Sequence, residues 1–386
     1  MRETRSGPSG QGGHTRRRLS IVLVALLVVS GISCSKRPRD PVAVAQMYWQ
    51  VGQSMSHAGL KKCYSLLSVD SRKVTSLDEY SQHYGATAKG RAVQWALDSI
   101  SLMPEDKTPP TYRRVRGVTH SGTDTLSALD VFYYTLVNEN GVWSVVWEIA
   151  LIDQAKDLYR KGLLDEALAM CDQALALNPY SAAAYNRKAW CYDRQTPSTD
   201  VARQARNAAI EVSAKKAIAL EPEVSAHYNT LALAYGAQDL SELKIECYQK
   251  AIRLPTCPPR AKVPYYANIS GAYGGMSKWN KAITFADSAL AIDSADAFAW
   301  MQRAIAEYNL ERRDSAKASI DRALAVDWAS HLDRGLQFSL QYYAALIDER
   351  AHDNEGALEH VLKALEMEPG DEGAQTIYSR VKRRTK

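Results

Sequence analysis

The sequence predicts an α-solenoid of stacked helical hairpins preceded by a smaller α+β unit. Three observations carry this. Alanines recur at fixed intervals: Ala282 and Ala289 are seven apart, Ala316 and Ala323 repeat that spacing thirty-four residues later, and Ala217 and Ala251 are also thirty-four apart. Helix-patterned segments close on proline, as in DEALAMCDQALALNP (Asp165 to Pro179) and EGALEHVLKALEMEP (Glu355 to Pro369). Before residue 150 the pattern differs, with short helical stretches giving way to β-prone runs on either side of Asn140-Gly141.

The alanine spacing has a packing cause. Two antiparallel helices approach closely only where small side chains face each other. Ala189, Ala232, Ser270, Ala304 and Ala345 take that place on first helices, and Ala167, Ala282, Ala316 and Ala357 on second helices. Ala174, Ala217, Ala251, Ala289, Ala323 and Ala364 let each hairpin stack on the next. Tyr185, Tyr228, Tyr266 and Trp300 near first-helix starts, and Leu177, Leu220, Leu254, Ile292, Val326 and Met367 near second-helix ends, are expected to fill the gaps. Pro179, Pro222 and Pro369 stop second helices, because proline lacks the amide donor and clashes with the preceding turn.

A thirty-four-residue period of paired helices resembles the tetratricopeptide repeat. Six repeats are expected, at about 148–181, 182–224, 225–258, 263–296, 297–330 and 338–371, so that the array spans 150–371. The second carries nine extra residues, expected at its hairpin turn near Gln195 to Asp200. Pro255-Thr-Cys-Pro-Pro259 forms a rigid loop, and a further excess falls near His331 to Gly335. Residues 372–386 hold a capping helix and basic tail, since a solenoid end must cover its open apolar face.

The resemblance implies a protein or peptide partner held in a concave groove lined by first helices. By register, Tyr159, Asn186, Trp190, Asn229, Leu233, Asn268, Phe298, Met301, Ile305, Tyr308, Tyr342 and Leu346 point there. Asn186, Asn229 and Asn268 offer one amide per repeat, able to bond both N–H and C=O of an extended backbone. Gly271, Gly274 and Gly275 thin one first helix, implying a deep pocket or a hinge. Lys156, Arg187 and Lys188 do not complete a basic clamp for a C-terminal carboxylate.

The start of the chain resembles a bacterial lipoprotein signal. Arg16-Arg17-Arg18 precedes an apolar run from Leu19 to about Val29, which ends in Ser30-Gly-Ile-Ser-Cys34. The strong form would have leucine at Gly31. The apolar run is about fifteen residues, short of the roughly 20 that span a bilayer. The resemblance implies residues 1–33 as signal peptide, Cys34 as the lipidated N-terminus and 34–40 as a tether. Ser35 resembles the outer-membrane sorting choice of Gram-negative envelopes, facing the periplasm. An uncleaved anchor is the alternative. Residues 1–33 hold five arginines and one acid, so the remainder carries 43 basic and 42 acidic residues and the formal charge falls from +5 to +1. That balance gives no footing for nucleic acid. Five other cysteines remain, an odd number. Cys171 and Cys191 fall on facing helices, but small buried apolar packing is favoured for all five. Neither CxxC nor His/Cys metal spacing occurs, nor a recognisable catalytic motif, so neither cofactor nor enzymatic activity is expected.

Residues 41–149 read as helices followed by an antiparallel sheet. Pro41 opens a helix with Val44, Met47, Tyr48 and Val51 on one face, and shorter helices fall near Leu60 to Leu67 and Leu77 to Tyr84. Val93, Trp95 and Leu97 alternate, as Leu126 and Leu129 do less cleanly; Asp124 to Val137 and Gly141 to Ile149 are β-prone, and Asn140-Gly141 between them is a hairpin signal. This order predicts an α+β cone. PVAVAQMYWQ, YSLLSVDSRK before LDEYSQHY, and LVNENGVWSVVWE together resemble the nuclear-transport-factor-like superfamily as found in small bacterial lipoproteins. That resemblance implies a pocket lined by Tyr48, Trp49, His83 and Tyr84, with Asp98 or Asp130 facing in. A histidine beside a carboxylate there could serve as general base; filling the cone as core is the plainer role. A ligand-sensing or enzymatic pocket docked by the repeats is thus the alternative to a scaffold.

Overall fold

The structure, a computed structural model, describes residues 38–53, 56–88, 95–104, 111–121, 128–326 and 334–384. The signal segment, Cys34, the start of the tether, Val93, Leu126 and residues 331–333 lie outside that set.

The α+β unit opens with four helices: α1 (Pro41–Gln53), α2 (His57–Ser65), α3 (Val69–Val74) and α4 (Leu77–Ala88). Ser56 and Ser68 cap α2 and α3, each accepting from the backbone N–H three residues on. Four antiparallel strands follow in the order β1 (Trp95–Leu102), β2 (Tyr112–Ser121), β3 (Ala128–Glu139) and β4 (Val142–Val145). The β3–β4 turn uses Asn140 and Gly141, both at positive φ (55° and 85°), the geometry a two-residue hairpin demands. Leu67 bridges Val145 and extends the β4 edge by one rung. The helices bury Val44, Tyr48, Leu67 and Tyr80 against Val115, Leu136 and Val145 of the sheet.

β2 was not legible in the sequence pattern, and its residues show why. Arg114 and Arg116, which would mark a solvent face in an isolated sheet, face acceptors in the solenoid. At Gly117 a Cβ would lie 2.0 Å from Cζ of Phe132, its partner across the ladder. The Phe132 ring covers the glycine and stacks on Trp49, with centroids 6.3 Å apart and planes 10° apart.

From Ile149 onward the described residues form helices joined by turns. Six hairpins pair α5 (Ile149–Arg160) with α6 (Leu164–Leu177), α7 (Ala182–Arg194) with α8 (Asp200–Leu220), α9 (Ser225–Gly236) with α10 (Ser241–Arg253), α11 (Pro259–Gly275) with α12 (Trp279–Leu290), α13 (Ala297–Asn309) with α14 (Arg313–Leu324), and α15 (Arg334–Arg350) with α16 (Asn354–Met367). The result is a solenoid of stacked antiparallel helical hairpins. The small residues at its crossings are sealed: Ala189, Ala232, Ser270, Ala304 and Ala345 are 0 % exposed, as are the six stacking alanines from Ala174 to Ala364. Of the gap-filling residues, Trp300 is buried, whereas Ile292 at the end of α12 is exposed.

Five hairpin turns share one device, a residue in the left-handed region: Gly162, Asp239, Ser277, Glu311 and His352. Only the first is glycine, so the other four turns are held there against local preference by the packing of their helices. The α7–α8 turn departs from this. The extra residues of that repeat, expected in the turn, lie mainly in α8, which has 21 residues against 12 to 14 in the other second helices. Thr199 caps the lengthened helix. At the far end α17 (Glu372–Arg384) lays Ala374, Ile377 and Val381 over α16. Arg380 and Arg384 of the basic tail meet the nearly buried Glu349 at 2.6 and 3.2 Å.

The two units are joined by more than the short link at Glu148. Arg114 donates to the Leu220 carbonyl at 2.7 Å. Arg116 grips Glu223 through Nε and Nη2 at 2.5 and 2.6 Å, and the Tyr133 hydroxyl donates to the same carboxylate at 2.9 Å. His83 of α4 meets Asp153 of α5 at 2.8 Å.

Candidate functional site

Three successive first helices form an open groove of about 800 Å³. α13 contributes Phe298, Met301, Ile305 and Tyr308; α15 contributes Leu336, Tyr342, Tyr343 and Leu346. Gly271, Gly274 and Gly275 of α11 form the opposing wall, with Trp279 at its end. These glycines make room rather than relieve strain. A Cβ on Gly275 would meet nothing within 4 Å, while one on Gly271 would press on Gln302 at 3.2 Å. The aromatic side chains are braced. The Arg350 guanidinium lies 4.8 Å over the Tyr308 ring, and Tyr342 packs between Phe338 and Tyr343. Among the described residues, none that lines the groove carries a formal charge, a thiol or an imidazole. Such a surface binds apolar and aromatic side chains and leaves polar recognition to Gln302, Asn309 and Ser339.

The structure brings Met301, Tyr308 and Tyr342 together here, with Phe298, Ile305 and Leu346. The other residues placed by register do not join them. Tyr159 sits under two guanidinium groups, Arg187 at 5.5 Å and Arg194 at 5.1 Å. Asn186 is not an open rung for a peptide, because its Oδ1 accepts from the Thr230 hydroxyl and ties α7 to α9. Trp190, Asn229 and Asn268 are half-buried on α7, α9 and α11, outside the lining. Lys188 is paired with Asp172. Cys171 and Cys191 are free buried thiols in mutual contact, and that contact pushes the Cys171 thiol up. Among the described residues no cluster of side chains fits a metal ion.

A smaller cavity, about 290 Å³, lies between the α+β unit and the first two repeats. Tyr48, His83 and Tyr84 line it. Tyr80 donates to the Tyr48 hydroxyl at 2.8 Å, and Tyr48 and Tyr84 share a 3.0 Å hydrogen bond. Burial pushes the hydroxyls of all three up, so they stay protonated. Trp49 is not part of this lining; it stacks instead on Phe132 of β3. Neither expected carboxylate faces in. Asp98 is exposed and pairs with His120 at 2.6 Å, and Asp130 is exposed with Oδ1 on the Val131 N–H. The partner of His83 is Asp153, from the first repeat. Sequence reasoning missed Arg114 and Glu148, both nearly buried at this cavity. The signal for Arg114 was a β-branched and aromatic run interrupted by arginines, TYRRVRGVT.

No family model matches the chain, and no curated protein matches it. Solved structures similar to part of it include PilF of Pseudomonas aeruginosa, at 15% identity over 60% of this chain and 97% of that one, with a TM-score of 0.49. PilW, described as a widely conserved type IV pilus biogenesis factor, aligns at 16% identity over 60% and 97%, also at 0.49. A tetratricopeptide repeat protein from Parabacteroides merdae aligns at 14% identity over 61% and 84%, at 0.45.

Proposed function

We propose that this protein is a non-enzymatic interaction scaffold of the bacterial cell envelope, tethered by a lipid on Cys34, whose solenoid grips an apolar, aromatic-bearing segment of a partner protein. The observation that carries the reading is the groove between α11, α13 and α15. It is uncharged, open, lined by braced aromatic and aliphatic side chains, and walled by glycines that admit a backbone. A segment inserting three or four large apolar side chains would bury them there. The lipoprotein-like start, the absence of a membrane-crossing helix among the described residues and the near-neutral remainder are compatible with a tethered adaptor. The α+β unit, in this reading a nuclear-transport-factor-like cone, stands between tether and solenoid as a rigid spacer.

Gly275→Trp tests the reading, because the new side chain enters the groove from a position with no neighbour to displace. Selection from a displayed peptide library on the purified solenoid-containing chain should enrich sequences with spaced aromatic and aliphatic residues. Their affinity should fall at least about tenfold, about 1.4 kcal/mol, in the variant. Peptides that bind the blocked and open forms equally would refute the groove as the site. Metabolic labelling with palmitate, present on the native chain and lost in Cys34→Ala, tests the tether separately.

A further inference from the structure

We infer that the cavity at the seam between the α+β unit and the first two repeats is a binding site for a small organic anion with a flat apolar body, of the aromatic carboxylate class. The site is composite. The α+β unit supplies Tyr84, Tyr134 and Trp147, and the solenoid supplies Asn178, Tyr180 and Ala183. An isolated cone would lack half of its wall. At about 290 Å³ the space is at the lower end of small-molecule sites and too small for a peptide or a nucleotide.

Arg114 supplies the charge. Its side chain lines the cavity, the residue is 8% exposed, and Nη2 is spent on the Leu220 carbonyl. Nε is buried with no hydrogen-bond partner. A buried donor left unmade costs about 1–3 kcal/mol, and more in a charged group. None of the acids nearby accepts a hydrogen bond from it. Glu223 is held by Arg116 and Tyr133. Glu221, also on the wall, meets His227 Nε2 at 3.3 Å. Glu148 is 7% exposed, and burial pushes its carboxyl up, against the hydrogen bonds of Ser181 and Asn178. Burial likewise weakens the hold of Arg114 on its proton, with Glu221 opposing in part. The guanidinium is therefore short of acceptors, with Glu221 as a partial counter-charge and the Tyr133 ring 5.8 Å away. A carboxylate of the ligand accepts from the part of the guanidinium that lines the cavity, a charge-assisted hydrogen bond. The faces and edges of Tyr84, Tyr134 and Trp147 suit a planar ring.

Calorimetric titration of the full chain with phenylacetate tests this, with phenylacetamide as neutral isostere and inorganic phosphate as a ringless anion. Phenylacetate should bind saturably, and the amide and phosphate at least about tenfold more weakly. Arg114→Lys keeps the charge but not the planar guanidinium or its reach, and should weaken phenylacetate by a similar factor. Arg114 also touches Leu220, so a second variant guards against a docking defect: Ala183→Leu narrows the mouth from an exposed position and should abolish binding with the melting temperature unchanged. Absence of phenylacetate binding, equal binding of the amide, or undiminished binding in Ala183→Leu would each overturn the assignment. Phosphate binding as tightly as phenylacetate would overturn its apolar half.

Discussion

A single methyl group sets how closely two helices of a hairpin lie. Ala304 and Ala316, 0 % and 1 % exposed, meet where α13 crosses α14, within a core that also holds Ile320 and Leu340. Ala304→Leu should destabilise the chain by about 1–3 kcal/mol through overpacking. Ala176→Leu, at an exposed position on α6, should stay within about 0.5 kcal/mol. Urea denaturation distinguishes the two; equal effects would mean that helix propensity rather than close approach selects alanine. Glu148 makes a different kind of statement. Its carboxyl is pushed up by burial, so folding favours the protonated form. That contribution is complete below the unfolded carboxyl's value and is lost as pH rises through the folded one. Glu148→Gln should therefore melt higher than the native chain at about pH 8, with the advantage vanishing toward roughly pH 4, the ordinary carboxyl range. A pH-independent difference would rule out charge burial as the cause.

Helices and strands were unequally legible, for a physical reason. The hairpins showed because their signal is local: a small residue at each crossing, repeated at the period the packing requires. The second repeat was legible as a length anomaly but not as a longer α8, since nine extra residues carry no mark of where a helix restarts. β2 was hidden because the partners that make its arginines sensible are more than a hundred residues away in the chain. The same distance effect misplaced Asp98 and Asp130 as partners of His83, when the carboxylate that meets it belongs to α5. Of the groove, the α13 and α15 side chains could be placed by register, whereas Asn186 could not be known to serve Thr230. Within β2, Gly117 gives a direct test of how the strand is tolerated. A Cβ there would overlap the Phe132 ring at 2.0 Å, so Gly117→Ala must push that ring off Trp49. A loss of about 1–3 kcal/mol is expected, and most of it should be recovered in the Gly117→Ala/Phe132→Leu pair. A double variant no more stable than Gly117→Ala would show that the backbone, not the ring, demands glycine.

The seam decides whether tether, sheet and groove act as one body. Glu223, on the turn between α8 and α9, accepts twice from Arg116 and once from Tyr133, so one carboxylate collects most of the sheet's polar hold on the solenoid. The Arg116 bond holds its carboxyl below the usual range. A depressed acid contributes stability that is present above its unfolded value and lost as pH falls through the folded one, so acidification should loosen the seam first. The side chains are each about one-third exposed, and solvent screening keeps the whole contribution near 1 kcal/mol. Glu223→Ala should therefore leave each unit folded but raise hydrogen exchange about fivefold, the factor 1 kcal/mol implies. The rise should be confined to the α8–α9 turn and to amides of β2 and β3 at the seam, with α13 to α17 unchanged. Acid should reproduce that pattern in the native chain and add little in the variant. Unchanged seam exchange in Glu223→Ala would mean that the covalent link through Glu148 and the apolar contacts around Trp147 hold the two units without the carboxylate. An increase spreading into the groove helices would mean instead that the seam supports the solenoid's own fold.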